Sequence, residues 1–196
     1  MGGKFINKAY ASGYGAPNTK AYRKNKQGEI EEETVESVLE NTVICAVPQQ
    51  NISKECAEYF GIRSALSEKD GITVVCTYFP YYSHYGKLTG FKKRDWRIQK
   101  EVKHHFSCIG NVKTSSQFFG QLQVAQGSNR TQINVCEGEG DVCAAWQTYV
   151  MKLRKDLQRK DCPAKYKQWA KEVLDGIELI KAGQQIGRAS CRERVS

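Results

Sequence analysis

The chain has 196 residues, of which 40% are hydrophobic and 26% are charged, a composition typical of a folded globular protein with an apolar core. Its formal net charge of +9 favours a polyanionic partner. The longest apolar runs are far shorter than the roughly 20 residues of a membrane-spanning helix, and the N-terminus lacks the apolar core of a secretory signal. We therefore expect a cytoplasmic protein with no membrane segment.

The eight cysteines are scattered along the chain, and no two of them form a C-x-x-C pair. Zinc ribbons need two such pairs, because tight turns aim the paired thiolates at one ion. The sequence therefore predicts no zinc site in this chain, and cysteines that are reduced and partly buried.

The first 45 residues have the composition of a loosely structured segment. Glycine, asparagine, serine and tyrosine dominate up to Tyr22, and an acidic run follows at Glu31–Glu33. This composition favours a flexible segment over residues 1–45 that contains one short solvated helix.

A first folded subdomain is predicted over residues 46–125. Its opening helix lies within Asn51–Gly61, where Ser53 is a suitable N-cap and Gly61 follows the C-terminus. The apolar face of this helix is predicted to consist of Cys56, Tyr59 and Phe60.

A β-hairpin follows the helix. Gly71–Phe79 is rich in β-branched and aromatic residues, Tyr82–Lys87 has the composition of a turn, and Leu88–Arg94 pairs back as the second strand. His105–Gly110 is predicted as a further strand, and Phe118–Gly120 as an apolar anchor that ends at a glycine.

The hairpin and the residues after it are strongly basic, with aromatic residues interleaved. The cations of this region are Lys87, Lys92, Lys93, Arg94, Arg97, Lys100 and Lys103. Because side chains alternate along a strand, Lys92 and Arg94 share one face, while Phe91 and Lys93 share the other. Cations at this spacing can follow a phosphate backbone, and aromatic rings can stack on unpaired bases. The alternative is a solvated hairpin whose aromatic residues fill the core.

The last organised part, residues 131–185, has a strand–loop–helix pattern. Thr131–Cys136 is predicted as a strand, Glu137–Gly140 as a glycine-rich loop, and a helix begins near Asp141. The predicted apolar face of that helix contains Val142, Ala145, Trp146, Tyr149, Val150 and Leu153. A second helix, near residues 164–182, carries the stripe Tyr166, Trp169, Val173, Leu174, Ile177 and Ile180. The lysines and arginines of these helices fit a solvated surface, with a secondary role on DNA as the alternative.

The segment Glu137–Asp141, with the sequence EGEGD, contains the residues that favour metal chemistry. A carboxylate at the C-terminal end of a strand projects into the crevice where α/β sheets bind ligands, and Gly138 and Gly140 let the backbone turn sharply. Asp141 opens the helix, so its carboxylate can lie close to that of Glu137. Two hard oxygen ligands, with waters in the other positions, suit Mg²⁺. The alternative is that Asp141 caps the helix and both glutamates are solvated.

The order strand, EGxxD, helix resembles the opening motif of the TOPRIM fold, which primases, topoisomerases and some nucleases share. The upstream motifs are similar to those of the phage bifunctional primase-helicases, whose mitochondrial relative is the helicase Twinkle. In chain order these motifs are Ile52–Cys56 (ISKEC), Gly86–Leu88 (GKL), Lys92–Asp95 (KKRD), Phe106 and Phe118–Gly120 (FFG). They match in order and rough spacing from about Gln50 to Trp146.

This resemblance implies an α/β protein, with a mixed α+β N-terminal subdomain followed by the start of a TOPRIM fold, and it implies a DNA primase. Glu137 would be the catalytic glutamate and a ligand of Mg²⁺, and Asp141 would be its acidic neighbour at the metal. The implied partners are a single-stranded DNA template, nucleoside triphosphates, and a helicase domain in the intact polypeptide of a phage-infected bacterial host.

The resemblance also implies a nucleic-acid- and nucleotide-binding surface. Lys92 and Arg94 would line the basic cleft that holds template or nucleotide phosphates. We assign Lys87 and Lys93 to the same surface, because they belong to the same basic hairpin.

Several features of the family are missing from this sequence. No D-x-D motif follows Asp141, and the zinc-ribbon template reader and the helicase motifs are missing. Residues 186–195 resemble the translation of a sequencing-library adapter, so we expect 186–196 not to be native, and the gene to be cut within the TOPRIM fold. Such a chain is expected to be inactive by itself. The alternatives are a TOPRIM nuclease or topoisomerase fragment and a non-catalytic nucleic-acid-binding module.

Overall fold

The computed structural model describes residues 21–24, 30–98, 106–114, 116–125 and 134–192. It contains helices and a four-stranded antiparallel sheet, which confirms the predicted mixed α/β class. The chain forms two compact units: unit 1 is Met1–Val43 with Ser64–Gln117, and unit 2 is Ile44–Arg63 with Phe118–Ser196. This division differs from the predicted one, because residues 44–63 belong with the C-terminal part of the chain.

The sheet is the main element of unit 1. The strands of the chain, in order, are β1 (Tyr22–Lys24), β2 (Ile30–Glu32), β3 (Arg63–Leu66), β4 (Val74–Tyr82), β5 (Leu88–Asp95) and β6 (Phe106–Gly110). β1 and β2 form a separate antiparallel pair, and the helix α1 (Val35–Asn41) follows them. The other four strands form the main sheet in the order β3-β4-β5-β6.

The predicted β-hairpin is confirmed as β4 and β5, which pair antiparallel. Thr77 lies opposite Arg94, and Phe79 lies opposite Lys92. The predicted third strand is β6, which pairs with the other edge of β5 and places Phe106 opposite Arg94. The register therefore brings Thr77, Arg94 and Phe106 into one row across three strands.

Two residues of the N-terminal segment that was predicted to be flexible belong to the hydrophobic core of unit 1, so the prediction is corrected for this part of the chain. The core consists of Ala21, Val38, Cys76, Tyr78, Phe91 and Ile109. Val38 lies on α1, so the short helix predicted within residues 1–45 exists but is packed on the sheet rather than solvated. Local composition cannot show this, because the contacts join residues that are distant in sequence. Residues 1–20 and 25–29 of the predicted segment lie outside the described residues.

Helices form unit 2. They are α2 (Lys54–Phe60), α3 (Gln121–Ala125), α4 (Glu139–Gln158) and α5 (Ala164–Arg192), with a 3-10 turn at Pro48–Gln50. α2 confirms the predicted caps: Ser53 Oγ accepts a hydrogen bond from the Cys56 N–H at 3.2 Å, and Gly61 ends the helix with a φ of 72°. The three residues predicted for its apolar face are all buried.

The start of α4 differs from the prediction. The helix begins at Glu139, two residues early, because the extended backbone of Gly138 already serves as its N-cap. Asn134–Cys136 is not in a strand, and Val135 is 87% exposed, so its apolar side chain is not used for packing. Residues 131–133 of the predicted strand lie outside the described residues.

The buried stripe of α4 also differs from the predicted apolar face. The buried residues of α4 are Glu139, Cys143, Val150 and Leu153. Trp146 lies in the same stripe and stacks on Tyr59 of α2, with ring centroids 4.8 Å apart. Ala145 and Tyr149 were predicted to face inward but are exposed, because they lie beside this stripe on the helix surface.

The second predicted helix is confirmed as α5, which extends beyond the predicted end. Ala170 and Ile177 are buried, whereas Trp169 is 43% exposed although it was predicted on the apolar face. Within the described ranges, no helix combines the length and the apolar character needed to cross a bilayer.

Candidate nucleic-acid and metal sites

The EGEGD segment forms the N-terminus of α4. Glu137 is exposed and precedes Gly138, whose extended backbone (φ −133°, ψ 161°) leads into the helix. The Asp141 N–H donates to the Gly138 carbonyl oxygen at 3.1 Å. A Cβ atom on Gly138 would lie 3.5 Å from Asp141 Oδ2, so the Asp141 carboxylate lies beside the bend. Glu137 and Asp141 are thus two exposed carboxylates that flank one backbone bend.

Glu139 differs from its two acidic neighbours. It is only 8% exposed, although it was predicted to lie in the glycine-rich loop. Glu139 and Asp141 both lie in the first turn of α4, where the partial positive charge of a helix N-terminus stabilises carboxylates. The buried Glu139 therefore contributes to the stability of the helix. Glu137 and Asp141 are the two acids of EGEGD that are accessible to solvent.

The two accessible carboxylates are of the chemical type that Mg²⁺ prefers. Hard carboxylate oxygens are the protein ligands that Mg²⁺ prefers, and waters or substrate phosphates usually complete its coordination. In the part of the chain that the structure describes, no three His, Cys, Asp or Glu side chains gather to hold a metal ion. Among the described residues, Glu137 and Asp141 are therefore two carboxylates with no third such side chain grouped with them.

The predicted division of β5 into two faces is confirmed. Lys92 Nζ lies 4.7 Å from the ring centroid of Phe106, and Arg94 Cζ lies 5.1 Å from the same centroid. Arg94 Cζ is also 5.1 Å from the Trp96 ring, whose N–H donates to Thr77 Oγ1 at 2.8 Å and so fixes the indole. We call Lys92, Arg94, Trp96 and Phe106 the cation–aromatic face.

Arg94 is a buried cation with an unsatisfied donor. It is 4% exposed, and its Nη1 has no hydrogen-bond partner among the described residues. Burial lowers the pKa of Arg94, against the attraction of Asp95. The aromatic rings stabilise the guanidinium, but a buried donor without an acceptor costs about 1–3 kcal/mol and more when it is charged. An anion that accepted this hydrogen bond would remove the cost.

Lys93 lies on the opposite face of β5, which corrects its predicted role in binding. Its Nζ pairs with Glu33 Oε2 at 2.5 Å, and both side chains are buried. The Tyr78 hydroxyl donates to the other carboxylate oxygen, Glu33 Oε1, at 2.7 Å. Lys93 is therefore neutralised within unit 1 and holds the segment after β2 against the sheet. It is not available to a phosphate in this structure.

Lys87 keeps the exposure that its predicted role requires. It lies in the turn between β4 and β5, where its N–H donates to Ser83 Oγ at 3.2 Å. Tyr85 in the same turn is 85% exposed, and its ring centroid lies 3.7 Å from that of His84. The turn therefore presents a cation beside accessible rings. Of the other predicted cations, Lys100 and Lys103 lie outside the described residues.

Asp95, the last residue of KKRD, neutralises a neighbouring cation. Arg97 donates to both of its carboxylate oxygens, from Nε at 2.9 Å and from Nη2 at 2.6 Å. Although burial opposes ionisation of Asp95, these hydrogen bonds from Arg97 lower its pKa below the ordinary value. Arg97 is therefore engaged within the protein by Asp95.

Scans of this chain against protein-family models, curated proteins and solved structures found no match. The resemblance to the phage primase-helicases therefore depends on the motifs and their order. The assignments of individual residues depend on the geometry described above.

Two features of these sites were not predicted from the sequence. Glu33 was not recognised as the partner of Lys93, although a lysine on the core side of a strand needs a buried acid to neutralise it. The acidic run that ends at Glu33 was the signal for that partner. Phe106 was noted only as a motif residue, because the register that places it opposite Arg94 depends on strand pairing.

Proposed function

We propose that this chain is the primase part of a phage-type primase-helicase, which joins nucleoside triphosphates on a single-stranded DNA template. The observation that carries the proposal is that the family motifs occur in family order on separate elements: ISKEC opens α2, KKRD closes β5 and EGEGD opens α4. The proposal implies a helicase domain in the intact polypeptide and the cytoplasm of a phage-infected bacterium as the location.

Phosphate binding is assigned to the cation–aromatic face. A phosphate oxygen is a strong acceptor for the unsatisfied Nη1 of Arg94, because both groups are charged. Lys92 adds a second positive charge on the same face, and the Phe106 ring holds both cations in position. Nη1 is shielded from solvent, so a phosphate reaches it only when the surrounding side chains move aside. Lys87 offers a first contact that is already exposed.

Glu137 and Asp141 are proposed as two ligands of Mg²⁺. The bound ion would neutralise charge on the triphosphate while a 3′-hydroxyl attacks the α-phosphate. Waters and substrate phosphates would fill the other positions, but the D-x-D motif, which the resemblance implies as a further metal-binding pair, does not occur after Asp141. We therefore expect the purified chain to make no primers on single-stranded templates with Mg²⁺ and labelled nucleotides. Primer synthesis above background would contradict this assignment of the ligands.

A non-catalytic nucleic-acid-binding module is the second candidate. It is favoured by Asn134–Cys136, which is not in the strand that a TOPRIM motif needs before EGxxD. In that case the cation–aromatic face carries the whole function, and Glu137 and Asp141 are surface acids at a helix start.

Nucleotide binding at increasing Mg²⁺ concentration separates the two candidates. The primase proposal predicts that a fluorescent ATP analogue binds in a Mg²⁺-dependent manner. Glu137→Gln should weaken this binding by about tenfold or more, the effect of losing one charge-assisted contact.

The matched control is Glu36→Gln, which removes an exposed acid from the first turn of α1. Glu139 is unsuitable as a control because it is buried. If the Glu137 and Glu36 variants bind the nucleotide equally well, the binding module becomes the better assignment.

A further inference from the structure

The hairpin of α4 and α5 carries a concentrated positive charge at its turn. Residues 149–171 include eight lysines and arginines but only two acids, Asp156 and Asp161. Both acids are already engaged: Asp161 Oδ2 accepts from Arg159 Nη2 at 2.6 Å, and Asp156 Oδ2 accepts from the Tyr166 hydroxyl at 3.1 Å. The positive charge of this turn is therefore not neutralised by its own acids.

Six lysines account for this charge. Arg154 is held by Glu55 of α2, and Arg159 by the two aspartates, so neither is available. The lysines that take part in no ion pair among the described residues are Lys152, Lys155, Lys160, Lys165, Lys167 and Lys171. Long-range attraction of a polyanion needs unpaired cations of this kind, since paired ones contribute little net field.

Exposed aromatic rings lie among these lysines. Trp169 is 43% exposed and Tyr149 is 39% exposed, and neither is needed for the buried stripes of α4 and α5. The Trp169 ring lies 5.2 Å from that of Tyr166. The Tyr166 hydroxyl donates to Asp156 Oδ2 at 3.1 Å, and Tyr149 precedes Asp156 by about two helical turns on the same face of α4. The three rings therefore belong to one side of the hairpin.

Two of the lysines share that side. Lys152 follows Tyr149 by three residues on α4, and Lys165 precedes Trp169 by four residues on α5, spacings that place each pair on one helix face. Lys152 and Tyr166 also line a common cavity of about 360 Å³ at the turn. One surface thus combines two cations with two accessible rings, and we call Tyr149, Lys152, Lys165 and Trp169 the hairpin surface.

We propose that the hairpin surface binds an unpaired nucleic-acid strand, with phosphates on the lysines and bases stacked on Tyr149 and Trp169. Charge complementarity favours a polyanion, and accessible rings favour one whose bases are free to stack. A lipid surface fits less well, because a membrane-binding helix presents a broad apolar face, and the apolar stripes of α4 and α5 are buried within unit 2. Because this surface lies on α4 and α5, the proposal does not depend on the template contacts proposed for β5.

Anisotropy of a labelled oligothymidylate, measured over a range of salt concentrations, tests the proposal. Lys152→Gln/Lys165→Gln should weaken binding and make the slope of log affinity against log salt shallower by about 1.4, or 0.7 for each lost contact. Trp169→Leu should weaken binding by about fivefold or more, through the loss of one stacked base. The matched control, Lys54→Gln/Lys69→Gln, removes two exposed lysines from other elements and should leave the slope unchanged.

The same variants should be compared in a Lys92→Gln/Arg94→Gln background, which removes the template contacts proposed for β5. A loss that persists in this background assigns the binding to the hairpin surface, whether or not the primase proposal holds. Three results would overturn the inference: the lysine variant binds like its control, Trp169→Leu binds like wild type, or an equal-length duplex or anionic vesicles compete as well as the single strand. Thermal unfolding of each variant checks that the fold is intact.

Discussion

Lys93 and Arg94 are neighbours on β5, carry the same charge and are buried to nearly the same extent, but the protein stabilises them in opposite ways. The Lys93 ammonium has a buried carboxylate as its partner, and that carboxylate accepts a further hydrogen bond from Tyr78. Arg94 has two aromatic rings and a donor without an acceptor. The partner of a cation, rather than its charge or its place in a motif, therefore distinguishes a structural role from a binding role.

The difference has an energetic consequence. A buried ion pair gains little net stability over apolar residues of the same shape, but removing one member leaves an uncompensated charge in the core. Arg94 is likewise a buried cation whose charge is incompletely compensated, because its Nη1 has no hydrogen-bond acceptor among the described residues. An anion bound at Arg94 should therefore stabilise the fold. Lys93 is already neutralised by Glu33, so it should not bind an anion.

The largest effect is expected for Lys93→Met. This substitution leaves the Glu33 carboxylate buried without its cation, and it should lower the free energy of unfolding by about 3–5 kcal/mol. Urea denaturation followed by circular dichroism measures the change. Glu33→Gln/Lys93→Met should recover most of the loss, because both charges are then removed. A single variant as stable as the wild type would show that the pair is not formed in solution.

A smaller effect on stability is expected from an anion that binds Arg94 but not Lys93. Tripolyphosphate, an anion without a base, should raise the thermal midpoint of the wild type, with about 2.7 kcal/mol of stabilisation at 100 times its dissociation constant. Arg94→Gln should lose most of this stabilisation at the same concentration, while Lys69→Gln should keep it. Equal stabilisation of the two variants would mean that the anion binds elsewhere.

The sequence predicted the local features well and the distant contacts poorly. The caps of α2, the hairpin and the two faces of β5 follow from local chemistry: Ser53 and Gly61 are good capping residues, and strand alternation separates Lys92 from Lys93. The ion pair of Lys93 was not predicted, because its partner Glu33 lies 60 residues earlier in the chain. The burial of Glu139 was also missed, since it depends on which side of α4 packs in unit 2.

The smallest effect concerns an ion pair that is exposed rather than buried. Arg154 Nη1 donates to Glu55 Oε2 at 2.8 Å in unit 2, and this hydrogen bond, against partial burial, lowers the pKa of Glu55. Its stabilisation should therefore be present above the ordinary glutamate pKa and be lost as the pH falls through the lowered value. Glu55→Gln should cost only about 0.2–1 kcal/mol at neutral pH, because solvent screens the pair.

Urea titrations from pH 7 to pH 3 measure this effect. The difference in stability between wild type and Glu55→Gln should shrink as the solution becomes acidic. A difference that stays constant over this range would show that the ionised Glu55 does not contribute.

The most direct test of the central claim is the salt dependence of single-stranded DNA binding by Lys92→Gln/Arg94→Gln. If Lys92 and Arg94 each contact one phosphate, the slope of log affinity against log salt should become shallower by about 1.4. The control is Lys54→Gln/Lys69→Gln, which has the same net charge and should keep the wild-type slope. If the two double variants show equal slopes, the cation–aromatic face does not contact phosphate, and the assignment of β5 to nucleic-acid binding is wrong.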